Sequence, residues 1–275
     1  MSIFSKFFKK NKNSKTSFNE SQADGTPEKV HPVYSGGQVH WVGNHPANAN
    51  SNDLFEQAKA YQLGIGVQID GQKAARLYRE AMNQGDKKAK HNLASMYINQ
   101  EGGLTDIATG IQLLQELADD GELLSISSLA YCYMNGTGVE KDTNKALELY
   151  QTASDRGMGM ASYSIGAYYI NECHDVEKGV KYCEKASEQG FALAASILAQ
   201  MYEQGMGIEK DWDKAMSFLK RAAELGDPAC QLKHGLLISK EDREEGLEYM
   251  MRSAQQNFPP AQYFRFIRFS CWSGS

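Results

Sequence analysis

Residues 133–157 read YMNGTGVEKDTNKALELYQTASDRG, and residues 202–230 read YEQGMGIEKDWDKAMSFLKRAAELGDPAC. Both hold a tyrosine, a Gly-x-Gly loop, an aspartate, a Lys-Ala pair and a later glycine in the same order. The same marks recur outward from these stretches. Glycine stands at Gly85, Gly121, Gly157, Gly190 and Gly226, with Asn257 in the sixth place, at spacings of 36, 36, 33, 36 and 31. Asp70, Asp106, Asp142, Asp175, Asp211 and Asp242 keep those spacings. A small residue recurs at Ala58, Ala94, Ala130, Gly166, Ala199 and Gly235. Three residues after each come Tyr61, Tyr97, Tyr133, Tyr169, Tyr202 and Ile238. Registers in step over this length mark an internal repeat.

One unit can be read in physical terms. Leu129, Ala130 and Tyr133 share a face at helical spacing. Asn135–Gly138 ends that first helix, because glycine enters the left-handed region without a side-chain penalty. Asp142 then caps a second helix whose buried face is Ala146, Leu149, Tyr150 and Ala153. Four residues after each aspartate stands Ala74, Gly110, Ala146, Gly179, Ala215 or Gly246. Side chains that small let two helices approach closely. The expected fold is all-α, an α/α solenoid of about six helix pairs.

These stretches resemble Sel1-like repeats, relatives of the tetratricopeptide repeat, and Tyr61–Gly85 with its LGIGVQID fits as well. The resemblance implies helix pairs, A and B, stacked as a solenoid over residues 52–257. It leaves residues 1–51 as a disordered or irregular tail, with a short turn or strand-like patch at His31–Pro46, and 258–275 as a C-terminal capping helix and tail. Loops depart from the pattern at NQEGGLTD in the second unit, NECHD in the fourth and SKED in the sixth. In the capping segment Phe266 falls at the small register and Phe269 at the tyrosine register, near Phe264 and Trp272.

Charge narrows the functional classes. Net charge is -5, but residues 1–51 carry six Lys/Arg against three Asp/Glu, and the rest 23 against 31. An acidic body is a poor match for a nucleic-acid backbone. No secretory signal or long apolar run is visible, so the expected compartment is the cytoplasm, with reduced thiols. Ile3, Phe4, Phe7 and Phe8 would share one face of a short helix beside Lys6, Lys9 and Lys10. That segment suits weak contact with the inner membrane surface or docking to a partner.

No cofactor, metal or catalytic group is called for. Cys132, Cys173, Cys183, Cys230 and Cys271 lack zinc or CxxC spacing, so inert, mostly buried thiols are expected. His31, His40 and His45 stand without a neighbouring carboxylate, and His91, His174 and His234 are isolated. Asn99, Asn135 and Asn171 stand as a ladder that could contact a ligand, but the favoured reading is that they serve local helix ends. The register two residues past the small position holds Met96, Cys132, Tyr168, Met201 and Leu237. Beside it run Ser95, Tyr131, Ala167, Gln200 and Leu236. Met96, Tyr131, Tyr168, Met201 and Leu237 are expected to line the concave A-helix face and bind a partner; the competing reading is contact between adjacent A helices. The resemblance implies a non-catalytic protein-interaction module in a bacterium: an adaptor, a regulatory scaffold, or an immunity protein that neutralises a basic toxin. A membrane-surface organiser and a hydrolase like the cysteine-rich relatives are the alternatives.

Overall fold

Every aspartate of the repeated register caps a helix. The carboxylates of Asp70, Asp106, Asp142, Asp175 and Asp211 each accept the N–H three residues on, at 2.9 to 3.1 Å. Asp242 accepts from Glu244 and Glu245 at 3.0 Å. Such a cap contributes about 0.5–2 kcal/mol relative to alanine. In the computed structural model the described residues are 31–35, 38–42 and 53–262, the first two stretches as backbone only.

The capped helices alternate with A helices to give six pairs among the described residues. They are α1 (Leu54–Leu63) with α2 (Gly71–Asn83), α3 (Lys87–Ile98) with α4 (Ile107–Asp119), and α5 (Leu123–Asn135) with α6 (Thr143–Asp155). Then come α7 (Gly159–Asn171) with α8 (Val176–Glu188), α9 (Ala192–Gln204) with α10 (Trp212–Glu224), and α11 (Pro228–Ile238) with α12 (Arg243–Gln255). No strand lies within 53–262. Residues 53–262 form an all-α solenoid of helix pairs, as the registers predict.

Contacts divide the chain into two compact units, meeting between Ala146 and Leu147 inside α6. In the N-terminal unit each helix from α1 to α5 packs on the next. Its core gathers Ala58, Ala74, Tyr78, Leu93 and Met96. In the C-terminal unit successive helices from α7 to α12 pack in the same way. Ile170, Cys183, Leu198 and Met201 form one cluster there, and Ala199, Leu219, Ala222 and Tyr249 another.

The two small registers meet at the crossing of A and B helices. A Cβ placed on Gly166 would lie 2.8 Å from the Gly179 carbonyl oxygen, and one on Gly179 would lie 2.8 Å from the Gly166 oxygen. Gly235 and Gly246 repeat this at 2.6 and 2.7 Å. In the N-terminal unit a Cβ on Gly110 would lie 2.8 Å from the Ala94 oxygen. At such separation the facing backbone takes the place of a side chain, which is why no larger residue appears at either register.

The glycine that closes each B helix has a left-handed backbone in all five places, and Asn257 adopts φ 56° in the sixth. Asparagine is among the few residues with a side chain that tolerate this region. At Gly157, φ is +90° and an added Cβ would meet nothing within 4 Å. The cost of a side chain there is therefore backbone strain alone. Gly157→Val should destabilise by about 1–3 kcal/mol; an unchanged melting curve would contradict it.

His31–Ser35 and Gln38–Val42 form an antiparallel hairpin, β1 and β2, with Val33 opposite His40. The hairpin lies within His31–Pro46, where a short turn or strand-like patch is expected; the rest of residues 1–51 lies outside the described residues. At the other end a helical turn opens at 259, with the Ala261 and Gln262 N–H groups donating to the Phe258 carbonyl. The expected core positions Phe266 and Phe269 lie outside the described residues, as does the segment with Ile3, Phe4, Phe7 and Phe8.

Candidate functional site

Side chains that could meet a partner sit late in the A helices, beyond the small register. The structure separates the five residues expected there. Met96 and Met201 are fully buried, each inside the core cluster of its own unit. Cys132, in the same register, is buried too. This corrects the expectation for the two methionines: they pack between helices and offer nothing to a partner. Their position faces neighbouring helices, and an unbranched side chain fills that gap well.

The other three keep surface. Tyr131 is 39 % exposed in the N-terminal unit, and Leu237 is 37 % exposed in the C-terminal unit. Tyr168 is half-buried, its ring edge-on to Tyr169 at 5.6 Å between centroids. Leu236 is 46 % exposed beside Leu237. Tyr131 and Leu236 occupy the same register, one residue past the small position, in their respective units.

Most polar groups near these residues have local structural work. Lys73 Nζ donates to the Tyr61 hydroxyl at 2.7 Å and stands 4.0 Å from that ring's centroid. Lys145 repeats the pair on Tyr133 at 2.7 and 4.2 Å. Lys178 and Lys214 lie over Tyr169 and Tyr202 at 4.0 and 5.0 Å. Each lysine stands three residues after a capping aspartate and ties helix B to the tyrosine of helix A. A contact of this kind contributes about 0.5–1 kcal/mol at an exposed site. Where Thr109 replaces the lysine, Arg79 donates to the Tyr97 hydroxyl at 2.8 Å from α2. In the sixth repeat both partners change together, to Ile238 and Glu245. The Lys–Tyr pairing was readable from the registers but escaped the sequence analysis.

Among the described side chains the cysteines and histidines do not converge. Cys132, Cys183 and Cys230 are buried and Cys173 is exposed, and all four are free thiols. Burial pushes Cys132 up to about 11 and Cys183 up to about 12, away from the reactive thiolate range. No group of three metal-ligating side chains forms among the described residues. Asn135 donates to the Tyr131 carbonyl at 2.8 Å, the local role expected of it.

His91 joins α3 to α5, its Nδ1 2.8 Å from Ser125 Oγ. Burial holds the imidazole below its usual range, against the opposing pull of Glu122. The folded chain therefore refuses a proton that the unfolded chain accepts. Stability should be fully present above about pH 6.5 and should fall as pH drops below that value. Burial lowers His234 in the same direction. A melting series across that window should show the decline, and His91→Gln should remove part of the slope.

Comparison with known proteins follows this geometry. The Sel1 repeat family model matches residues 54–86, 87–122, 124–158, 159–191, 192–227 and 232–258, one match for each helix pair. A Sel1 repeat protein from Oxalobacter formigenes is 27% identical with a TM-score of 0.53, over 74% of this chain and 86% of that one. A protective antigen of uropathogenic Escherichia coli strains, described as having an SLR fold, is 25% identical with a TM-score of 0.50 over 77% of this chain. The chain spans about half of that antigen, 47% of its length. An immunity protein from Pseudomonas aeruginosa has a TM-score of 0.50 and 22% identity, over 74% of this chain and 84% of that one, a likeness of fold alone. Comparison with curated proteins gave no significant match.

Proposed function

We propose that this chain, which belongs to the Sel1 repeat family, is a non-catalytic protein-binding module whose partner engages its A helices. The observation that supports this is the exposure of Tyr131, Leu236 and Leu237 late in the A helices. Tyrosine is among the residue types enriched at interface hot spots.

The acidic body favours a partner with a basic surface, such as a toxin or other effector. Neutralisation of a toxin is one form this binding would take, and the Pseudomonas aeruginosa protein lends it a shared fold and nothing more. The free thiols are compatible with a reducing, cytoplasmic location. No helix among the described residues is long and apolar enough to cross a membrane.

The test is the affinity of a copurified stoichiometric partner. Tyr131→Ala combined with Tyr168→Ala should weaken binding by more than about 2 kcal/mol while the protein stays folded. Full affinity in the double variant would reject the A-helix surface.

A further inference from the structure

The loop of one repeat covers the first residue of the B helix before it. In the N-terminal unit Gly138 rests on Ile107, and a Cβ there would also lie 3.0 Å from Ile111. A Cβ on Gly102 would lie 2.5 Å from the Gly71 backbone. In the C-terminal unit a Cβ on Gly207 would lie 3.2 Å from Val176. Gly71, Ile107 and Val176 each follow a capping aspartate directly.

Trp212 holds that position after Asp211, and its cover is missing. The next loop, Ser239–Glu241, is five residues shorter than the Tyr202-to-Asp211 connection and has no glycine. Trp212 is accordingly 55 % exposed, where Ile107 and Val176 are half-buried. Around it the chain is acidic. Residues 209–213 and 241–245 lead into α10 and α12, which run the same way because each packs against the α11 between them, and together they hold seven carboxylates against two cations. Glu209, Asp213, Glu241, Glu244 and Glu245 are all exposed, and none is in an ion pair among the described residues.

We propose that the N-terminal segment of this protein, residues 1–19, docks on this acidic edge and lays a lysine over the Trp212 indole. The segment has the complementary chemistry: five lysines, no carboxylate, and Phe4, Phe7, Phe8 and Phe18. A cation over an indole face and apolar contact beside it both need an open tryptophan. The C-terminal segment, with Arg265 and Arg268, is basic as well. By register, however, a seventh loop would cover Arg243, the residue after Asp242, and not Trp212. The proposal is independent of the A-helix surface, so the two can fail separately.

The test uses the full chain labelled with fluorotryptophan, in which three tryptophans give three fluorine resonances and Trp212→Phe assigns one. Reversing the tail charge with Lys6→Glu, Lys9→Glu and Lys10→Glu should shift the Trp212 resonance and open it to a dissolved quencher. A synthetic peptide of residues 1–19, added to that variant, should restore the original resonance. Its affinity should drop about tenfold on Trp212→Ala, and likewise on Asp213→Lys with Glu244→Lys. An unchanged Trp212 resonance after charge reversal would overturn the proposal. So would peptide affinity indifferent to Trp212, or a tail whose lysines matter only for flotation on anionic vesicles.

Discussion

Gly179→Leu should cost at least about 3 kcal/mol, the upper end for overpacking, and lower the melting midpoint by about 6–12 °C. The added Cβ would point at the Gly166 carbonyl oxygen 2.8 Å away and into Ile170. A flexible side chain could turn aside, but the α7 backbone cannot move without separating α7 from α8. The facing position is equally closed, since a Cβ on Gly166 would lie 2.9 Å from Cys183 Sγ. Both helices carry core residues of one cluster, Ile170 on α7 and Val180 and Cys183 on α8. Forcing them apart therefore loosens apolar contacts well beyond the substituted residue. A melting midpoint within a degree or two of the parent protein would show that the crossing is not as tight as described.

Tyr78→Ala should cost about 3–5 kcal/mol, the range for emptying a large buried aromatic site. Tyr78 is fully buried on α2, its ring centroid 5.7 Å from that of Phe55. Its hydroxyl donates to Gln62 at 2.9 Å and accepts from Asn92 at 3.1 Å, so it links α1, α2 and α3. Burial raises its pKa, which keeps the phenol protonated across the working range. Tyr78→Phe keeps the ring and should cost only about 1–2 kcal/mol, the share of the lost hydrogen bonds. Equal losses in the two variants would mean that the hydroxyl network, not the ring, holds this pair of repeats.

The aspartate caps, the left-handed turns and the small-residue crossings were legible because the chain repeats each of them six times, the turns with five glycines and Asn257. A single aspartate would be weak evidence of a cap, but six in step leave little else to explain them. The departures carried information too. SKED in the sixth unit marked a shortened loop, yet its effect falls on Trp212, one repeat earlier in the chain. That exposure depends on which side chain a missing loop would have covered, and spacing alone does not say so.

Met96 and Met201 were misread for a related reason. The register two residues past the small position can face either a neighbouring helix or solvent, and helical spacing does not separate the two. Leu237 shares that register and is exposed, whereas both methionines are buried. The Lys–Tyr pairs were missed although both residues were visible. Helical spacing marks the tyrosine by its apolar face alone and does not show a lysine lying over it. The hairpin at His31–Val42 left only a faint trace, because two short strands among polar residues have no apolar face long enough to read.

The central claim is that the exposed residues late in the A helices meet a partner. Hydrogen exchange of the full chain, with and without a copurified stoichiometric partner, tests it most directly. The account predicts new protection in the last turns of α5 and α11, around Tyr131, Leu236 and Leu237, with the B helices unchanged. Protection confined to the B helices, with those A-helix turns exchanging as before, would contradict it.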